Sequence, residues 1–574
     1  MAKFLIGVVT GVVLVIVFVV IAVFAVVPGR EKPPTIAAGS TLMLQLDGEM
    51  PERAPVELPI PFLQQRESMT VENVWSILRV AAADSRIKAI VLEPRNLSMG
   101  WAKLQEVRGD LEQFKKSGKL VYAYLKTPGT REYYLATAAN RVYMAPEDEL
   151  NMKGMRFELT YFRNTLDKLG VQVEIEHAGK YKDFGDMFTR SSMSPETREV
   201  LNSVMDGLFG HLVDTIAAGR NKTAEQIRAT IDDGPFMSTQ ALAAGLVDGL
   251  KYEDEFYAEL KDKLHSGELK KVSAREYLRV PEKSVGLGGT QRIALVTGEG
   301  GITRDGETSG FSTDDGFNSE DFDKLLRRVA DDNAIKGVIV RVDSPGGEVF
   351  ASDAILREMT LLGKKKPLVI SMSDTAASGG YYVAITGDPI IAYPGTITGS
   401  IGVVFGKANL KGLYDKVGLT KDFLSRGRFA TIDSDYEPLS PAGRQKLREG
   451  IDANYKSFVT KVAQARRRKF EEIEPLAQGR VWLGSQAKER GLVDELGGLD
   501  RAIELVKEKA KIPRAEKVTL VAYPPRKSIF DVLFGRPSEG LAESQISKFL
   551  KSWQARLWMR GGLMRIMPFS LDIR

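Results

Sequence analysis

The chain has 574 residues, 43% hydrophobic and 27% charged, with a net charge of +5. That composition folds, the length exceeds one ordinary core, and Lys and Arg are spread too evenly to offer nucleic acid a basic patch. With no cysteine, disulfides, thiolate catalysis, zinc fingers and iron–sulfur clusters are excluded, and the three histidines, His177, His211 and His265, lie too far apart in sequence to form a metal-binding pair.

The first predicted element lies within residues 1–28. Phe4 to Val27 carry no charge. As a helix at about 1.5 Å per residue the run reaches roughly 36 Å, enough to span a bilayer. The apolar core of a cleaved signal peptide is shorter, about 7–15 residues. An uncleaved single-pass transmembrane anchor is therefore expected. Lys3 on one side and Arg30 and Lys32 on the other leave its orientation undecided by charge.

Beyond the anchor the chain is written twice. "DSRIKAIVLEP" from Asp84 aligns with "DNAIKGVIVRV" from Asp332, and the same offset of about 248 residues runs on without a gap. Tyr133-Tyr134 meets Tyr381-Tyr382, Gly154 meets Gly402, and Phe157 meets Phe405. After a small slip, Ser194-Pro195 meets Ser440-Pro441, and "GLVD" from Gly245 meets the same letters from Gly491. Two homologous domains follow, 40–270 and 290–510, with Pro281–Gly289 as linker and a tail at 525–574. Each copy reads as α/β. Short β-branched runs such as "GVIVRV" and "PLVISM" predict buried strands. Between them, "SEDFDKLLRRVADD" puts Phe322, Leu325, Leu326 and Val329 on one helical face. Alternating strands and helices favour a mostly parallel sheet with right-handed crossovers, and strand ends are then natural site positions.

Chemistry is expected where the copies differ. The downstream copy has Ala377-Ser378-Gly379-Gly380 where the upstream copy has Gly129-Thr130-Arg131-Glu132. It also has "DSPGGEV", with Gly346 and Gly347, where the upstream copy has Ser98 and Met99. Ser378, on a bare turn between a strand and a helix, is a candidate nucleophile. Glycines let a backbone approach a substrate closely. Backbone N–H groups from the Gly346-Gly347 turn and from Gly379 can face one developing oxyanion, each typically worth about 3–4 kcal/mol in the transition state.

A serine nucleophile needs a base, and the downstream half has no histidine. A lysine can serve if burial brings its pKa from about 10.4 to about 7–8. The upstream copy has "HAGKYKDFGDMF" from His177, and the downstream copy has "SRGRFATIDSDY". Lys182 thus meets Ala430, so the half without the serine keeps a lysine that the other half lost. If the domains pack side by side, Lys182 reaches Ser378 at their interface. Lys180 competes, but its counterpart is Arg428, a generic basic position.

"SPGG", "AASGGYY", "TGSIGVV" and "AGKYKD" together resemble the long, tandem-repeat form of the signal peptide peptidase A (protease IV) family, over nearly the whole chain. The resemblance implies two ClpP/crotonase-like domains and a serine–lysine dyad across them, with Ser378 as nucleophile, Lys182 as general base and Ser400 orienting the lysine. It implies no cofactor. Its substrates would be signal peptides left in the membrane, cut by a homotetramer anchored in the bacterial inner membrane with its catalytic domains in the periplasm. The chain departs from the family at Asp343, where an asparagine is common. A crotonase-like acyl-CoA enzyme and a non-catalytic membrane scaffold are the alternatives.

The tail closes the chain. "ISKFLKSWQARLWMRGGLMRIMPF" mixes aromatic and basic residues and predicts an amphipathic helix, lying on a membrane or packing on protein. "VTGEGGITRDGETSGFSTDDGF", from Val296, lacks a phosphate-loop pattern and is expected to be a mobile loop.

Overall fold

A computed structural model describes residues 33–53, 69–304, 317–524 and 562–567. The expected anchor at 1–28 lies outside the described residues, and among those described no helix is long and apolar enough to cross a membrane.

The repeat is visible strand by strand. In the first copy a parallel sheet runs in the order Lys271–Ser273, Ser40–Asp47, Ile87–Arg95, Leu120–Leu125, Arg141–Met144, Gly249–Leu250. In the second the corresponding strands are Val518–Tyr523, Gln291–Glu299, Ile335–Ser344, Leu368–Ala377, Ile390–Ala392, Glu495–Leu496, again parallel, and the end of Leu368–Ala377 also pairs with Ile397–Gly399, which carries the antiparallel Val481–Leu483. The central strands are buried along almost their whole length, as sheets covered by helices on both faces require. Helix Ser319–Asp331 buries Phe322, Leu325, Leu326 and Val329 as expected, and the Asn318 side chain caps it by accepting the Asp321 N–H. The expected loop after Val296 is in part regular: Gln291–Glu299 and Ile302–Thr303 are strands, and residues 305–316 lie outside the described set.

The copies are joined through both apolar and charged contacts. Ala377, Ile397, Val481 and Leu483 of the second copy belong to the core of the first. Beside them Arg341, 1% exposed, donates from Nε to Glu52 at 2.6 Å and from Nη2 to Glu106 at 2.5 Å. Burial would push the Glu52 carboxyl up, but the Arg341 and Lys103 charges outweigh it and hold it at about 2. Asp343 also belongs here. It pairs with Lys103 of the first copy at 2.8 Å and accepts the Thr375 N–H at 2.9 Å. An asparagine could make the second contact but not the ion pair.

A third sheet contains strands of both copies. Its order is Phe317–Asn318, Ile302–Thr303, Gly346–Glu348, Gly562–Ile566, Val403–Asn409, Gln172–Ala178. Gln172–Ala178 of the first copy zips antiparallel onto Val403–Asn409 of the second, from Ala178 opposite Val403 to Gln172 opposite Asn409. The tail differs here from its expected helix. Gly562–Ile566 is a strand, because it has a strand to bond on either side. The stretch 546–561 lies outside the described residues.

Candidate active site

Strand Leu368–Ala377 ends directly at Ser378, and helix Gly379–Ala384 begins after it. Ser378 has φ +55° and ψ −111°, a conformation that costs a side-chain-bearing residue about 1–3 kcal/mol. Two hydrogen bonds hold it there. Its N–H donates to the Gly399 carbonyl at 2.8 Å, and its own carbonyl accepts the Tyr382 N–H at 2.8 Å. The strained turn lifts the hydroxyl out of both regular elements.

Lys182 arrives from the first copy. Strand Gln172–Ala178 delivers the chain to Gly179, and the Tyr181 N–H donates to the Gln478 carbonyl at 2.7 Å, tying the following turn to the second copy. The lysine stem then passes over two glycines. A Cβ on Gly479 would stand 2.6 Å from Lys182 Cβ, and one on Gly402 would stand 3.0 Å from its Cδ.

At the end of that passage Lys182 Nζ lies 2.7 Å from Ser378 Oγ, 2.9 Å from Ser400 Oγ and 2.9 Å from the Ser400 carbonyl oxygen. All three side chains are fully buried. Burial pushes the Lys182 amine well below its ordinary range; Asp183 works against this and Arg565 reinforces it. Burial also pushes the neighbouring Asp183 carboxyl up to about 6. A neutral amine has two N–H donors and one lone pair. Ser400 takes both donors, through its hydroxyl and its carbonyl, so the lone pair is left for the Ser378 hydroxyl proton. Lys180, the rival lysine, is exposed and stacks on the Tyr181 ring at 5.0 Å.

The glycine pairs meet beside the serine. Gly346 has φ +103°, and its N–H turns inward to Ser344 Oγ at 3.2 Å. A Cβ on Gly379 would lie 3.0 Å from the Gly347 nitrogen, so these two backbones adjoin. The structure therefore brings Ser378, Lys182, Ser400, Gly346, Gly347 and Gly379 into one place. Sequence reading missed strand Gly562–Ile566, which runs alongside Gly346–Glu348. The only sequence signal for it is a short aliphatic run around one arginine.

Comparisons with known proteins give the family. The profile described as "Peptidase family S49" matches twice, at residues 113–266 and 360–513. The first match contains Lys182 and the second contains Ser378 and Ser400. A relative named "Serine protease SPPA, chloroplastic" from Arabidopsis thaliana is 36% identical over 79% of this chain and 68% of its own. "Protease 4" of Salmonella typhi is 32% identical over 84% of this chain and 77% of its own. A shorter relative from Enterococcus faecium, named as a signal peptide peptidase, is 32% identical over 46% of this chain and 73% of its own. The chain belongs to peptidase family S49 and is a serine protease with its family domain in tandem.

Proposed function

We propose that the chain is an endopeptidase working through a Ser378–Lys182 dyad shared between two ClpP/crotonase-like domains, and that it degrades signal peptides left in a membrane after their release. The observation that carries this reading is the 2.7 Å contact between Lys182 Nζ and Ser378 Oγ, buried and with Ser400 holding the amine. Neutral Lys182 takes the Ser378 proton as Oγ attacks the peptide carbonyl. The oxyanion is met by the N–H groups of Gly347 and Gly379, while Gly346 keeps the backbone close enough. The lysine then gives its proton to the leaving amine and draws one from the water that frees the acyl chain. Strands Gly346–Glu348 and Val403–Asn409, which hold Gly562–Ile566 between them, suit a substrate taken in extended form in its place. The relative named as a signal peptide peptidase supports the substrate class, and the charge-free run Phe4–Val27 supports a membrane anchor; its place in a bacterial inner membrane, with the repeats in the periplasm, follows from the family resemblance alone.

Assembly into a homo-oligomer, a tetramer by family resemblance, has support in the repeat itself. Gln172–Ala178 finds Val403–Asn409 within the chain. Its downstream counterpart, residues 420–426, forms no strand, and Leu424 there is 99% exposed. The upstream counterpart of Val403–Asn409, residues 155–161, is likewise outside any regular strand. A second copy of the chain offers each segment the partner it lacks.

The test is a fluorophosphonate probe with a signal-peptide substrate. Wild-type protein takes the label on Ser378 and cuts the peptide; Ser378→Ala and Lys182→Ala, folded by circular dichroism, do neither. Cleavage at the wild-type rate by Ser378→Ala overturns the reading.

A further inference from the structure

The tail strand occupies the groove as a peptide would. Gly562–Ile566 lies antiparallel to Gly346–Glu348, with Ile566 opposite Gly346, Arg565 opposite Gly347 and Met564 opposite Glu348. On its other side Met564 faces Val404. Just beyond the strand, the Met567 N–H donates to the Pro345 carbonyl at 2.7 Å. Hydrogen-bonded pairs alternate along an antiparallel ladder, so the next bonded pair is Gly347 with Arg565. The Arg565 carbonyl thus accepts from Gly347, one of the two glycines assigned to the oxyanion. It also borders the other: a Cβ on Gly379 would lie 3.0 Å from that oxygen. A carbonyl in this position belongs to the residue just before a cut bond.

The Arg565 side chain is only 1% exposed. Its guanidinium carbon lies 3.6 Å from the Tyr382 ring centroid and 5.1 Å from that of Phe458. Its Nη1 donates to the Val349 carbonyl at 3.3 Å. Tyr382 donates its hydroxyl to Asp353 at 2.5 Å, and Lys461 bonds the same carboxylate. Burial pushes the guanidinium down from its ordinary range, and Tyr382 and Asp353 act in the opposite sense. Aromatic faces, a carbonyl and a nearby carboxylate together suit a flat, delocalised cation. A leucine would fill the aromatic walls but leave the Val349 carbonyl without this donor.

We propose that Tyr382, Phe458, Val349 and Asp353 form the primary specificity pocket, that it selects a long cationic side chain before the cut bond, and that strand Gly562–Ile566 is a built-in competitor holding Arg565 in it. The proposal rests on the Ser378–Lys182 reading and refines its substrate. Signal peptides carry their cations in the n-region ahead of the apolar core, so the favoured cuts lie at that end.

Fluorogenic peptides identical except for arginine, citrulline or leucine before the cut bond test it on the full chain. We expect kcat/KM for arginine to exceed both others at least about tenfold, and Asp353→Asn to narrow that ratio. Leucine equal to or better than arginine overturns the pocket. Arg565→Glu removes the competitor and lowers KM for the arginine peptide several-fold. The free peptide LMRIMPF inhibits that variant, whereas its arginine-to-alanine form does not. An unchanged KM together with no inhibition overturns the role of the tail. Ser378→Ala separates the two readings. If it is inert while the wild-type ratio is flat, the pocket fails and the dyad stands; if it cuts every peptide like wild type, the dyad itself fails.

Discussion

Lys182 and Ser378 are 196 residues apart in the chain and their reacting atoms are 2.7 Å apart in the fold. The contact exists because Gln172–Ala178, from one copy, completes a sheet in the other. Each copy alone therefore holds half of the proposed dyad. A base in this position must be able to become neutral, which an arginine cannot do. Lys182→Arg is therefore expected to lose activity as fully as Ser378→Ala, by a factor of at least about 10³ in kcat/KM. Steady-state peptide hydrolysis checks this. More than about a tenth of wild-type activity in Lys182→Arg would rule out lysine as the base.

The same geometry sets the pH dependence. In the proposed mechanism Lys182 works only when unprotonated, so kcat/KM is expected to rise with pH along a limb whose midpoint is the amine's pKa. Burial and the Arg565 guanidinium both lower that pKa, with Asp183 opposing them. The limb is expected well below pH 10.5. Arg565→Glu takes the guanidinium away from Lys182 and, with the strand released, lets water nearer the amine, so the ammonium form is favoured and the limb moves to higher pH. A pH–rate profile of both proteins reads the shift; movement to lower pH contradicts the assigned position of Arg565.

The fold and the meeting of Lys182 with Ser378 were legible for a common reason: duplication puts two solutions to one packing problem in a single chain. Strands "GVIVRV" and "PLVISM" match the upstream copy because each copy builds the same kind of sheet, while Lys182 opposite Ala430 marks a position where the copies differ and the proposed chemistry needs only one of them. Nothing similar marks Arg565. Its strand is short, and its partners lie more than a hundred residues upstream, so no local period distinguishes it from the amphipathic pattern expected around it. The network at Arg341 was hidden for another reason. Arg341 sits inside an otherwise apolar strand, and only the packing of the two copies supplies Glu52 and Glu106.

That network gives a stability prediction. Arg341→Met keeps much of the volume but leaves Glu52 and Glu106 buried without their guanidinium. Removing one partner of a buried ion pair typically costs about 3–5 kcal/mol. A large fall in melting temperature is expected, with peptidase activity falling as well, because the same interface aligns Lys182 with Ser378. Wild-type melting would mean that the copies are held together by their apolar contacts alone.

The segment around Leu424 addresses assembly. Residues 419–428 are all exposed, and Leu424 is 99% exposed. An aspartate there would be harmless in a lone chain and costly in an intermolecular sheet. Leu424→Asp is expected to lower the mass measured by light scattering in detergent while leaving the thermal transition of the single chain in place. An unchanged mass removes residues 420–426 from the interface.

A last consequence concerns the cost of the buried amine. In the unfolded chain Lys182 holds its proton up to about pH 10.4. In the folded chain burial removes that proton at a lower pH. Between the two values the unfolded state binds more protons, so stability rises with pH across that window, and below it the folded state bears the full penalty. Lys182→Met retains the stem over Gly479 and Gly402 without the amine. It is therefore expected to melt higher than wild type at pH 7, with the difference shrinking as pH is raised towards 10. Paired calorimetric melts at several pH values check both the sign and the trend. A variant less stable than wild type at pH 7 would mean that the hydrogen bonds to Ser378 and Ser400 outweigh the cost of burying the amine.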